Sequence, residues 1–159
     1  CPCGFFGDPM KPCTCAPSAV AKYQKRLSGP LLDRIDIHME VPRLTPDELM
    51  VRQPGEPSAA IQKRVVQARQ RQSERLAGTP FRHNADMSSK ALEDFCPLPE
   101  DCKSLLRAAI DQFGLSARAH DRIIKLARTI ADLEGAEGIE VPHLAEAVQY
   151  RSLDRKLWG

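Results

Sequence analysis

Residues 115–135 read LSARAHDRIIKLARTIADLEG, and their spacing decides the fold class. Ser116 is of the type that caps a helix N-terminus, and Gly135 of the type that closes one. Between them Ile123, Ala127 and Ile130 fall on one side at a period of 3.6 residues. Arg118, Arg122, Lys125 and Arg128 fall within about a third of the circumference on the opposite side. This predicts an amphipathic helix from Ser116 to about Leu133. Its neighbours read the same way. Pro99-Glu100-Asp101 opens a helix whose apolar face is Cys102, Leu105, Leu106, Ala109, Ile110 and Phe113, ended by Gly114. Pro142 starts a last helix carrying Leu144, Ala147 and Val148. Ser88 or Ser89 caps a turn reaching Phe95, and Ser58 caps a helix to about Ala77. From residue 58 onward the pattern is that of a helical bundle.

Upstream the pattern changes. Residues 42–57 hold four prolines and a glycine and read as a linker. Before it, Ile35, Ile37, Met39 and Val41 alternate with Asp36, His38 and Glu40, which predicts a strand with one apolar face, ended by Pro42. Its partner strands are expected to lie elsewhere. Ser18 caps a helix to about Leu27, stopped by Gly29-Pro30. Residues 1–17 are loop. The expected fold is mainly α: a bundle over 57–159, preceded over 1–56 by the terminal strand and loops of an α/β unit.

The 159 residues are 42% hydrophobic but only 5% aromatic, which suits a core of Leu, Ile, Val and Ala. A formal charge of +2 with 28% charged residues carries no global signal for nucleic acid, so a basic site has to be local. No apolar run reaches the length of a membrane span, and no signal peptide is visible. The chain opens on cysteines rather than Met, and is expected to be part of a longer protein. Four of its six cysteines lie in the first 15 residues, unlike a disulfide framework spread through a secreted domain. A cytoplasmic location is expected.

Three sets of residues carry chemistry. The basic face of 116–133 is either a solvated surface or a seat for an anion, for which guanidinium forks suit phosphate. Arg34, between Asp33 and Asp36, is either half of a surface ion pair worth at most about 1 kcal/mol or a group mounted to reach a neighbour's ligand. Cys1, Cys3, Cys13 and Cys15 could make a tetrahedral zinc site, although CxC is a weaker spacing than CxxC. Unliganded thiols and disulfides are the other readings. Helix 59–77 carries Lys63, Arg64, Arg69, Arg71 and Arg75 against Glu74 alone, a solvated face or a contact for DNA phosphates or a neighbouring subunit. His38, His83, His120 and His143 are scattered and receive no metal role. Asn84 gives no readable signal.

SGPLLDRIDI (28–37) resembles the arginine-finger segment of the magnesium-chelatase and MCM branch of AAA+ ATPases. The stretch from Leu115 through HLAEAVQYR (143–151) resembles that branch's sensor 2 helix and the end of its helical lid. With the opening CPCG, these two segments resemble the C-terminal part of the ComM/YifB competence proteins. The resemblance implies that Arg34 is a trans-acting finger on the γ-phosphate of the adjacent subunit's ATP. It implies that Arg118 is the sensor 2 arginine, with Arg122 in support. It further implies a homohexamer, ATP with Mg as cofactor, and DNA as the partner of a branch-migration motor. No GxxxxGK[ST] loop occurs, so this chain alone is not expected to hydrolyse ATP. A chelatase-type motor that inserts metal into porphyrin, and a zinc-binding interaction module, are the alternatives.

Overall fold

The computed structural model describes residues 1–39, 41, 43–51 and 54–151. The described elements run in chain order α1 (Pro17–Gln24), α2 (Gly29–Leu32), α3 (Pro46–Met50), α4 (Ser58–Arg75), α5 (Ser89–Phe95), α6 (Glu100–Phe113), α7 (Ala117–Glu134) and α8 (Val141–Gln149), with a 3-10 turn at Asn84–Asp86. The mainly α reading holds. Among the described residues there is no strand.

Helix α7 is the axis of the bundle and packs against α4, α5, α8 and the 3-10 turn, while α6 packs on α8. Its N-cap is Ser116, whose hydroxyl accepts the Ala119 N–H at 3.1 Å. Ile123 and Ala127 from its apolar face are fully buried beside Cys102, Leu144 and Ala147. Gly135 closes α7 at φ 88°, in the left-handed region, and a Cβ there would meet Arg71 Nη2 at 3.0 Å. The left-handed φ strains any residue with a Cβ, and the Arg71 guanidinium would also have to shift to make room. Cys102 is buried, as its place on the apolar face of α6 predicted, and Cys96 is buried with it.

Neither Ser18 nor Ser58 caps its helix, since Ala16 and Pro57 hold those positions with no side-chain cap bond. Three further expectations are corrected. The predicted strand is irregular backbone where described, with Glu40 and Pro42 outside the described residues. A strand needs a partner for its amides. Here the His38 N–H instead donates to the Tyr150 carbonyl at 2.9 Å. The carbonyls of Arg34 and Ile35 accept from the guanidinium groups of Arg122 and Arg151. With no second layer, Ile35, Ile37 and Met39 stay exposed. Second, Gly29-Pro30 does not simply stop a helix. Ser28 accepts the Leu31 N–H at 3.3 Å and α2 begins there. Third, the linker contains α3, opened by a capping box in which Thr45 and Glu48 bond each other's backbone N–H. That signal, Thr-Pro-Asp-Glu, was present in the sequence.

Arg128 departs from the basic face. It is buried, and its Nε donates to Asp132 Oδ1 at 3.1 Å while its Nη atoms reach the carbonyls of Ala136 and Glu137 at 2.8 and 2.9 Å. Asp132 is fully buried and also takes both Nη atoms of Arg75 at 2.7 Å and Asn84 Nδ2 at 2.8 Å. Burial alone would raise the Asp132 pKa. The bonds from Arg75 and Asn84 and the charges of Arg128 and Arg75 outweigh it, so the carboxyl titrates below its ordinary value. A folded-state pKa below the unfolded one gives stability that is full above about pH 4 and lost as pH falls through the folded value. We predict that Asp132→Asn costs about 3–5 kcal/mol at neutral pH, since it strands two guanidinium groups. The variant should also lose part of the wild-type acid limb. Urea unfolding from pH 7 down to pH 3 checks both.

Candidate functional site

The segment Ser28–Met39 lies along the N-terminal half of α7. Asp33 and Asp36 are three residues apart; Arg118 and Arg122 are four apart on one helix face. The two spacings bring the pairs into register. Arg118 Nη1 lies 3.8 Å from Asp33 Oδ2, and Arg122 Nη1 forms an ion pair with Asp36. Asp33 has two further partners: Ser116 Oγ donates to it at 3.0 Å and Arg151 Nη2 at 3.3 Å. An acid beside the N-terminus of α7 is favoured by the helix dipole and offsets the cations in its first turns.

These contacts settle the choice for Arg34 between pairing with its neighbours and standing free. Both flanking carboxylates are taken by other arginines. Arg34 is exposed, and its side chain has no partner among the described residues. Its backbone, by contrast, is fixed: its N–H donates to Leu31 O at 3.0 Å and its carbonyl accepts from Arg122. Arg118 is the more available of the two α7 arginines, with its side chain 57% exposed against 25% for Arg122. Lys125 donates to the Ala85 carbonyl at 3.0 Å. A cavity of about 300 Å³ opens between the segment and α7, lined by Asp36, Ile37, Ala85, Arg122, Lys125 and Thr129.

The four N-terminal cysteines also converge, with all Sγ atoms within 4.8 Å of one another and none in a disulfide. The backbone N–H of Phe5 is the largest influence on Cys3, whose thiol is lowered to about 6. Buried Cys96, by contrast, is pushed up to about 11 by desolvation.

On α4 three of the five cations are used internally. Arg64 pairs with Glu56, Arg71 donates to the Asp132 carbonyl at 3.0 Å, and Arg75 holds the Asp132 carboxylate. Lys63 and Arg69 have no partner among the described residues. Sequence reasoning weighed Asp33 and Asp36 only as partners of Arg34, and missed Asn84 and Arg151 as structural partners. For the aspartates, the matching three- and four-residue spacings were a readable signal. Asn84 and Arg151 had none, because their partners lie 48 and 118 positions away. His143, read as having no metal role, is buried and closes the start of α8, accepting the Glu140 N–H at 2.9 Å and meeting Glu134 at 2.6 Å.

Residues 55–151 match the family described as magnesium chelatase, subunit ChlI C-terminal, and residues 1–49 match magnesium chelatase, subunit ChlI. The chain belongs to this magnesium-chelatase-like AAA+ family, within its ComM/YifB group. It is 43% identical over 143 residues to competence protein ComM of Haemophilus influenzae, covering 89% of this chain and 27% of the relative. It is 41% identical over 145 residues to the uncharacterized protein YifB of Escherichia coli, covering 90% and 28%. It is 33% identical over 151 residues to the uncharacterized protein Mb2921c of Mycobacterium bovis, covering 95% and 29%. The chain thus spans little more than a quarter of the relatives it matches.

Arg151 is 2% exposed and bonds both Ile35 O and Asp33. We predict that Arg151→Met frees the segment, so that limited trypsin cleaves after Arg34 several-fold faster while α7 stays protected. Mass-spectrometric mapping of the fragments reads this directly.

Proposed function

We propose that this chain supplies two parts of a AAA+ ATPase site that approach nucleotide from opposite sides. Arg34 is the finger that reaches in trans to the γ-phosphate of ATP on an adjacent subunit. Arg118 is the sensor 2 arginine that meets the phosphates of its own subunit. The observation that carries this reading is the inverted pairing at 33–36. The acids beside Arg34 are engaged by Ser116, Arg118, Arg122 and Arg151, and the Arg34 guanidinium is left unpaired on a fixed backbone. A finger needs that combination, because it must be free of local partners yet held with little slack. Its charge offsets what develops on the transferring phosphoryl group.

Arg118 is also suited to its role. Its ion pair is long and exposed, so leaving it for a phosphate costs about 0–1 kcal/mol or less. Arg122 acts in support by holding the Arg34 carbonyl. The chain has no phosphate loop, so ATP and Mg are held chiefly by other parts of the longer protein. That protein works as a homohexamer. One of its relatives is named a competence protein. With the family resemblance, this supports a motor that moves DNA by branch migration during recombination of incoming strands. No described helix is long and apolar enough to cross a membrane. The family description also keeps a chelatase-type motor in view. Stimulation of ATPase activity by DNA distinguishes the two.

In the full-length ring, Arg34→Ala should spare ATP binding and lower turnover by about 10³-fold. Arg118→Ala should weaken nucleotide binding as well. Mixing Arg34→Ala subunits with subunits lacking their own phosphate-loop lysine should restore activity. Co-assembled rings that never exceed either parent would show that Arg34 does not act in trans.

A further inference from the structure

We propose that Cys1, Cys3, Cys13 and Cys15 form a closed tetrathiolate site for one Zn²⁺ that holds the N-terminal loop together. The sulfur positions carry the proposal. Cys1 and Cys3 Sγ are 3.4 Å apart, Cys3 and Cys13 3.6 Å, and Cys1 and Cys13 3.7 Å, with all four within 4.8 Å of one another. Four thiolates at about 2.3 Å from a tetrahedral zinc lie about 3.8 Å from each other. A disulfide would bring only two sulfurs together, at about 2.05 Å. It would not explain why four converge.

The backbone is arranged around the sulfurs. Gly4 N–H closes a turn on Cys1 O at 3.1 Å, and Gly4 and Gly7 take φ values of 83° and 79°. The resulting bend lets the Phe6 N–H donate to Cys1 Sγ at 3.2 Å. The N–H groups of Phe5 and Cys15 serve Cys3 and Cys13. Four thiolates at these distances repel one another unless a cation sits among them.

Apolar packing offers no alternative explanation. No residue from 1 to 19 is buried, so the loop has no core of its own. Asp8 organises its middle, accepting the N–H groups of Met10 and Lys11 at 2.8 and 3.0 Å and pairing with Arg43 at 3.3 Å. Exposed contacts of that kind are screened by water and hold a loop only weakly. A metal supplies the missing constraint. An all-sulfur set leaves no open coordination position, so the site is structural rather than catalytic. Soft thiolates select zinc over magnesium or calcium.

The test uses the 159-residue chain purified without chelator from zinc-supplemented medium. Elemental analysis should find one zinc per chain. Replacement by Co²⁺ should give the thiolate charge-transfer bands and intense d–d absorption of a tetrahedral S₄ centre. The Cys13→Ser/Cys15→Ser double variant should lose the metal but keep its far-ultraviolet circular dichroism, because the bundle core lies at 76–148. On the unmodified chain, zinc release by a mercurial should speed protease cleavage within residues 1–16 and leave 58–149 protected. A metal-free chain with four reactive thiols would overturn the proposal. So would disulfides among these cysteines, bound iron in place of zinc, or zinc retained by the double variant.

Discussion

A single buried carboxylate, Asp132, holds the bundle in its arrangement. It gathers Arg75 from the end of α4, Arg128 from its own helix and Asn84 from the 3-10 turn, and its carbonyl takes Arg71. Arg128 extends the network to the carbonyls after Gly135. Elements far apart in sequence are therefore fixed relative to α7 by directional, charge-assisted bonds rather than by apolar area alone. Each such bond contributes about 1.5–3 kcal/mol, and the set loses more than its sum if the carboxylate is removed. Asn84 has its amide nitrogen shared between Asp132 and Thr129, so it too has one workable orientation.

Helix α7 is consequently two structures end to end. Its C-terminal half is rooted in this network and in the core. Its N-terminal half carries Arg118 and Arg122 on a surface that faces the segment from Ser28 to Met39. The rigid end sets the position of the polar end. The Ser28–Met39 segment bonds to α7 rather than to a sheet and so inherits its placement from the bundle. The cation face is not a reservoir of free charge, since Arg122 and Lys125 are bonded to carbonyls or acids and Arg128 belongs to the core.

The long bundle helices α6 and α7 were legible because each combined a 3.6-residue apolar period with local punctuation, whereas the one-turn helices α2 and α3 are too short to show a period. The α7 boundaries follow from Ser116 and Gly135, and the end of α6 from Gly114. The strand was misread for a physical reason. Alternation of Ile35, Ile37 and Met39 reports that one face is apolar, not that a neighbouring strand is present. The roles of Arg75, Arg128 and Asn84 were invisible, because a polar residue on a helix looks the same whether it meets water or a partner 57 positions away. The bond pattern around Arg34 was only half legible. Two acids beside one arginine suggest a local pair, and only the approach of α7 shows that they belong to other cations.

The exposed edge formed by Ile35, Ile37 and Met39 has a bearing on solubility. An alternating apolar stretch with free amides and carbonyls is a template for strand addition between chains. Here the Arg34 and Ile35 carbonyls are covered by guanidinium groups, and the His38 amide is bonded to Tyr150. A second strand could pair along this edge only after displacing two arginines and one backbone bond. The same contacts that position Arg34 therefore also act as a guard against edge-to-edge aggregation.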